Sequence, residues 1–159
     1  MRRSAGIVLY RSIDGRVEVL LGHMGGPIWA RKDPGAWTIP KGEYELDEDP
    51  FAAACREFAE EVGVAVPASE FVDLGEVRQS SGKVVRAWAA RLDDTAELDP
   101  ATAVSNTFEM EWPPKSGRTQ AFPELDRVEW FEVEAARTKI IVAQREFLDR
   151  LPAAGIHAD

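Results

Sequence analysis

The 159-residue chain has one cysteine, two histidines, two tyrosines and no apolar run approaching the length of a membrane span. Cys55 alone permits no intramolecular disulfide, which suits a reducing, cytoplasmic setting. The start, Met1-Arg2-Arg3-Ser4, is basic, but the apolar run Ala5 to Tyr10 behind it is too short for a signal-peptide core. Positive charge is in deficit: 19 Lys and Arg against 28 Asp and Glu give a formal net charge of -9. That balance argues against broad binding to nucleic acid or to an anionic membrane. It would also repel a polyphosphate ligand, unless a divalent cation inverts the local sign at the site. Repeats and low-complexity tracts are absent too. With 45% hydrophobic residues the chain can build one core, so a single domain over 1–159 is expected.

What is present reads as strands interleaved with two helices. Ala5 to Tyr10 and Val17 to Leu21 flank the turn signal Asp14-Gly15 and predict a hairpin. Gly25 to Gly35 is a Gly- and Pro-rich loop carrying Arg31 and Lys32, followed by a short extended piece, Trp37 to Ile39, ended by Pro40. Asp49-Pro50 is a helix start, and the helix runs from Phe51 through Val62 to a stop at Gly63. Phe71 to Val77 and Val84 to Leu92 read as strands around the turn Ser80 to Lys83. Residues 93 to 123 are expected to be mostly irregular, with Phe108 to Trp112 alternating like a short strand. Arg127 to Val133 is the last expected strand. One C-terminal helix, from about Glu134 to Leu151, would bury Ile140, Ile141, Phe147, Leu148 and Leu151. This order is α/β (α+β) in class.

The central helix is the informative one. At about 100° per residue, Glu57, Glu60 and Glu61 share a roughly 100° arc, while Phe51, Cys55, Phe58 and Val62 take the opposite face. Three carboxylates on one arc repel one another unless something neutralises them. Hard oxygen donors suit Mg²⁺, with Mn²⁺ as a substitute, and such an ion keeps water and substrate phosphates in its other positions. A solvated acidic face, partly offset by Arg56, is the plain alternative for an arbitrary helix.

The flanking pattern decides between them. Gly42, Glu48, Arg56-Glu57, Glu60-Glu61 and Gly63-Val64 resemble the Nudix box, G-x5-E-x7-R-E-U-x-E-E-x-G-U with U bulky and aliphatic. Phe58, at a position where an aliphatic residue is usual, is the one soft departure. The approach Trp37-Thr38-Ile39-Pro40-Lys41-Gly42 and the strand Val128-Glu129-Trp130-Phe131 extend the resemblance over most of the chain.

The resemblance implies an α/β/α sandwich around a mixed sheet and Mg²⁺-dependent hydrolysis of a nucleoside diphosphate linked to another group X. It implies Glu57, Glu60 and Glu61 as the metal-binding and base-supporting set, with a backbone carbonyl near Lys41 or Gly42 completing the metal site. Arg56 would orient the box glutamates, faced by Glu48. A further acidic residue from outside the box is expected at Glu124, in Phe122-Pro123-Glu124-Leu125-Asp126, ahead of Glu109 and Glu111. Glu57 or Glu124 would take the proton of the attacking water. Lys41 is the leading phosphate-binding candidate, followed by Arg31, Lys32, Lys83 and Arg86. Trp29 and Trp112 are candidates for stacking on a base, and Trp37 and Trp130 for the core. Family members are often homodimers.

For X, Pro40-Lys41-Gly42, the Glu124 context and the last helix look most like members that cleave dinucleoside polyphosphates. Many of those carry a tyrosine beyond the box, where this chain has Val77-Arg78-Gln79-Ser80-Ser81. A nucleoside triphosphate pyrophosphohydrolase is therefore the alternative. From a different class, a non-catalytic nucleotide-sensing module is opposed by the unbroken set of box carboxylates.

Overall fold

A computed structural model describes residues 2–157; Met1 of the basic start and residues 158–159 of the expected domain lie outside the described residues. Strands β1 (Arg3–Ile13) and β2 (Arg16–Met24) form the expected hairpin. Asp14 and Gly15 turn the chain with φ of 51° and 76°. Positive φ at both central positions matches the twist of the flanking strands, which is why an Asp-Gly pair serves here. Next come β3 (Trp37–Thr38), β4 (Lys41–Glu43), helix α1 (Pro50–Val62), β5 (Ala68–Arg78) and β6 (Val84–Leu92). The sheet runs β3-β2-β1-β6-β5, with β4 pairing β1 and β9 (Leu125–Glu132) pairing β2. Among the described residues only strands β1 and β6 are parallel neighbours, so the sheet is mixed.

Alternation along the central strands builds two cores. Ile7, Leu9 and Leu20 face α1, where they meet Ala53, Ala54, Phe58 and Val62. Val8, Val19 and Leu21 point the other way, into Ala136, Ile140, Phe147, Leu148 and Leu151 of the C-terminal segment. Helices on both faces of one sheet make the α/β/α sandwich. Phe58 and Val62 are fully buried, each contributing about 1.5–3 kcal/mol on the transfer scale. Phe51 and Cys55 lie half-buried at the rim of that face. Trp37 is core, whereas Trp130 is half-covered beneath the Arg11 guanidinium, 4.2 Å from its ring.

The C-terminal expectation is corrected. The C-terminal segment is not one helix but α2 (Val133–Lys139), a 3₁₀ turn (Val142–Gln144) and α3 (Arg145–Asp149). Ile140 leaves helical geometry to bridge Trp37, and the Ile141 N–H donates to the Trp37 carbonyl at 2.8 Å. Ile141 is consequently half-buried rather than core. The break swings Gln144 inward, where it is fully buried: its Oε1 accepts the Ile39 N–H at 3.0 Å and its Nε2 donates to Thr38 Oγ1 at 3.0 Å. The stretch 93–123 is mostly irregular, as expected, and the strand read at Phe108 to Trp112 is present one residue earlier. It holds a hairpin of β7 (Thr107–Glu111) and β8 (Thr119–Pro123), with Phe108 against Phe122 at 6.1 Å. Pro113 and Pro114 sit in its connecting turn, so they bound strands instead of excluding them. Among the described residues no helix is long and apolar enough to cross a membrane.

Candidate active site

The Asp49 side chain caps α1 by accepting the Ala52 N–H at 2.9 Å, and Pro50 fits the first turn, where its missing N–H costs nothing. Gly63 ends the helix in the left-handed region at φ 92°, with its N–H on the Ala59 carbonyl. Between these stops the helix lies with Glu57, Glu60 and Glu61 toward β4. Sequence periodicity places these residues opposite the core, yet Glu57 is 9% exposed and Glu61 7%. The reason is β4, whose backbone covers them. Glu61 Oε1 accepts the Lys41 N–H at 3.2 Å, and a Cβ on Gly42 would stand 2.0 Å from the Glu57 carboxyl carbon. Only glycine lets the strand come this close.

Arg56 binds three carboxylates at once. Its Nε donates to Glu48 at 3.0 Å, and its Nη1 to Glu57 at 2.8 Å and Glu60 at 3.2 Å. Charge-assisted bonds of this kind fix side-chain orientation as well as charge.

Glu57, Glu60, Glu61, Gly42, Glu124, Lys41 and Lys83 all line one cavity of about 380 Å³. Glu124 arrives from the far end of the sequence, just ahead of β9, held by backbone bonds on both sides. Its carbonyl accepts the Gly25 N–H at 3.0 Å and its N–H donates to the Asn106 carbonyl at 2.9 Å. Asn106 in turn donates its own N–H to the Glu60 carbonyl at 2.8 Å, tying Glu124 to the end of α1. Other candidates lie elsewhere. Arg31 and Lys32 are exposed on the 25–35 loop, with the Lys32 ammonium 5.0 Å above Trp29. Arg86 is paired with Asp73 at 2.7 Å. Glu109 and Glu111 are exposed on β7, and Trp112 follows them, half-buried. None of these residues lines the cavity.

Met24, Thr38, Glu43, Asn106 and Leu125 also line it, and sequence reasoning did not single them out. Thr38 lies inside the Trp37-to-Gly42 approach and Leu125 beside Glu124, and those two segments were the available signals. Asn106 carried none.

The electrostatics are those of a site short of positive charge. Burial raises the Glu61 pKa above its ordinary 4.5, against the pull of the Lys41 N–H and ammonium. Burial likewise raises Glu57, with Arg56 opposing and Glu60 and Glu124 adding to the shift. Lys41 is lowered, first by burial and then by its neighbour Lys83. Five glutamates, counting Glu43, face two lysines across the cavity. Among the described residues no three acidic, His or Cys side chains already stand as a preformed metal cage. The donor set nonetheless fits a hard divalent cation, because Mg²⁺ takes one or two carboxylates plus water and phosphate oxygens instead of an all-protein cage. Crowded, half-neutralised carboxylates are also what such a cation would relieve.

Comparison with known proteins gives the family and the fold. The sequence profile of the NUDIX domain matches residues 1–151. A bis(5'-nucleosyl)-tetraphosphatase (asymmetrical) of Caenorhabditis elegans is 39% identical over 62 residues, 39% of this chain and 41% of that protein. An RNA pyrophosphohydrolase of Gluconacetobacter diazotrophicus is 38% identical over 68 residues, 39% of this chain and 36% of that protein. The chain thus spans about two fifths of the length of the curated relatives it matches. Among solved structures, the C. elegans Ap4A hydrolase binary complex superimposes with a TM-score of 0.64 at 23% identity, covering 96% of each chain. The NUDIX domain of Shewanella oneidensis NrtR complexed with ADP ribose gives 0.61 at 17% identity, covering 95% of this chain and 86% of that one. At these identities the structural likeness speaks for the fold.

Proposed function

The chain belongs to the Nudix family, and from that premise we propose that it is a pyrophosphohydrolase acting on a nucleoside diphosphate linked to X, with a dinucleoside polyphosphate as the favoured substrate class. The observation carrying this reading is the convergence of Glu57, Glu60, Glu61 and Glu124 with Lys41 and Lys83 on one cavity of about 380 Å³. When bound, Mg²⁺ or Mn²⁺ would supply charge neutralisation at phosphate oxygens and a lowered pKa for bound water. Glu57, Glu60, Glu61, Glu124 and the backbone at Gly42 are the groups that would hold it.

The chain's own residues divide the remaining work. Arg56 locks Glu57 and Glu60 in one orientation and offsets part of their mutual repulsion. The Lys41 N–H does the same for Glu61. The Lys41 and Lys83 side chains supply the positive charge that an extended polyphosphate needs in so acidic a chain. Either Glu57 or Glu124 accepts the proton of the attacking water, since both carboxylates line the cavity.

The name of the C. elegans tetraphosphatase supports the dinucleoside polyphosphate class; nucleoside triphosphates are the competing class. Turnover of both classes with product identification in ¹⁸O water tests the proposal. Label in a nucleoside phosphate product, with a nucleotide as leaving group, supports it. Nucleotide binding without turnover would sink it and favour a binding module.

A further inference from the structure

We propose that His23 is a positioning residue for Glu124, acting through a β-bulge at Asp126. The proposal rests on Glu124 belonging to the active site described above.

The bulge is visible in the register. His23 pairs with Arg127 and the next residue, Met24, pairs with Leu125, so Asp126 is the extra residue on β9. Its effect is visible in the core. Leu125 and Val128, three residues apart, both join the cluster beneath α1. Strict alternation would send them to opposite faces, so the bulge has inverted the phase of the strand. Everything before Asp126, Glu124 included, takes its direction from that inversion.

His23 holds the bulge in place. It is fully buried, and its Nδ1 lies 2.9 Å and 3.0 Å from the two carboxylate oxygens of Asp126. Its Nε2 lies 2.7 Å from the Lys32 carbonyl, which fastens the 25–35 loop to the same point. Trp37 meets the ring edge-on with centroids 5.1 Å apart. Two residues on, the Gly25 N–H donates to the Glu124 carbonyl, and a Cβ on Gly25 would stand 1.9 Å from the Pro123 carbonyl oxygen. The end of β2 therefore grips the bulge on both sides, at Asp126 through a side chain and at Glu124 through the backbone. Neither His23 nor Asp126 lines the cavity, so their influence on it passes through Glu124.

The two ring nitrogens allow the contacts to be separated. In His23→Asn the amide nitrogen falls near the place of Nδ1, which keeps Asp126 and gives up Lys32. In His23→Gln it falls near the place of Nε2, which keeps Lys32 and gives up Asp126. Both leave a polar group in the cleft, and both should melt somewhat below wild type. Loss of a group that orients a metal ligand typically costs about 10–100-fold in metal affinity or activity. The expected result is that His23→Gln loses about that much kcat with KM nearly unchanged, and binds Mn²⁺ correspondingly more weakly by titration calorimetry. His23→Asn should stay within about threefold of wild type on both measures. Combined with Glu124→Gln, His23→Gln should cost nothing further.

Equal losses in the Asn and Gln variants, tracking their melting temperatures, would show a merely structural residue and overturn the inference. So would losses that multiply with those of Glu124→Gln. Should His23→Gln fail to fold, Asp126→Ala removes the same contact from its other end, with the same kcat-only pattern expected. Wild-type protein inactive on every nucleotide would sink the proposed function instead, while the Mn²⁺ titrations would still report on His23.

Discussion

A Cβ on Gly42 would stand 2.0 Å from the carboxyl carbon of Glu57, so the backbone of β4 and the first glutamate of α1 are already in contact. Gly42→Ala must push Glu57 aside or prise β4 from β1, which it pairs through Ala5. Since Glu57 is the softer of the two, the variant should keep a melting temperature near wild type and lose about tenfold or more in kcat. An unchanged kcat would show that the Glu57 position is not critical.

Glu60 is the most exposed of the three glutamates on α1 and, among the described residues, is bound only by Arg56 among side chains. Glu60→Gln should therefore fold normally. As loss of a group that merely orients a ligand costs about 10–100-fold, loss of the ligand itself should cost at least about a hundredfold in turnover. Activity above a tenth of wild type would count against its assignment.

Glu61 links pH to stability. Its pKa is raised on burial above the ordinary 4.5, so the folded state favours the protonated carboxyl. The contribution of that group is fully present below 4.5 and is lost as pH rises through the raised value. Lys41, lowered in the folded state, runs in the other direction: its contribution is present above 10.5 and lost as pH falls through its lowered value. Between about pH 5 and about pH 7 the carboxyl dominates, so the metal-free wild type should lose melting temperature relative to Glu61→Gln over that range. Mg²⁺ should restore it, more at the higher pH, because it binds the ionised form. A pH-independent difference between the two proteins would contradict this.

Gln144→Leu removes the partner of the Ile39 N–H in a fully buried place, while Thr38 Oγ1 keeps its bond to the Ile39 carbonyl. Unsatisfied buried groups cost about 1–3 kcal/mol each. Denaturant unfolding should show a loss of about that size with an unchanged slope, while kcat/KM per folded molecule stays near wild type. A loss under about 0.5 kcal/mol would mean that the segment relaxes to re-pair the Ile39 N–H.

Sequence and structure agree where the physics is local. The helix period sorted Glu57, Glu60 and Glu61 from Phe58 and Val62, and Asp49-Pro50 and Gly63 bounded the helix, because capping and side-chain direction depend on a few neighbouring residues. The burial of Glu57 and Glu61 was not legible, since it is imposed by β4 arriving from outside the helix. The break after Lys139 was hidden because apolar residues keep a helical spacing straight through it; a strand contact to Trp37 overrides that spacing. Alternation made β7 legible at Phe108 to Trp112, while the flanking prolines concealed its partner β8, as they mark a turn as readily as disorder. Asn106 and Met24 reach the cavity through contacts between distant parts of the chain, and no single-sequence pattern encodes them.

The central claim is tested most directly by Mg²⁺-dependent turnover of diadenosine tetraphosphate and ATP by wild type and Glu60→Gln, with products identified by mass spectrometry in ¹⁸O water. The account predicts metal-dependent cleavage of a phosphoanhydride bond with one ¹⁸O in a phosphate product, dinucleotide over triphosphate, and near-complete loss in the variant. Turnover that survives metal removal, or that Glu60→Gln leaves intact, would contradict it.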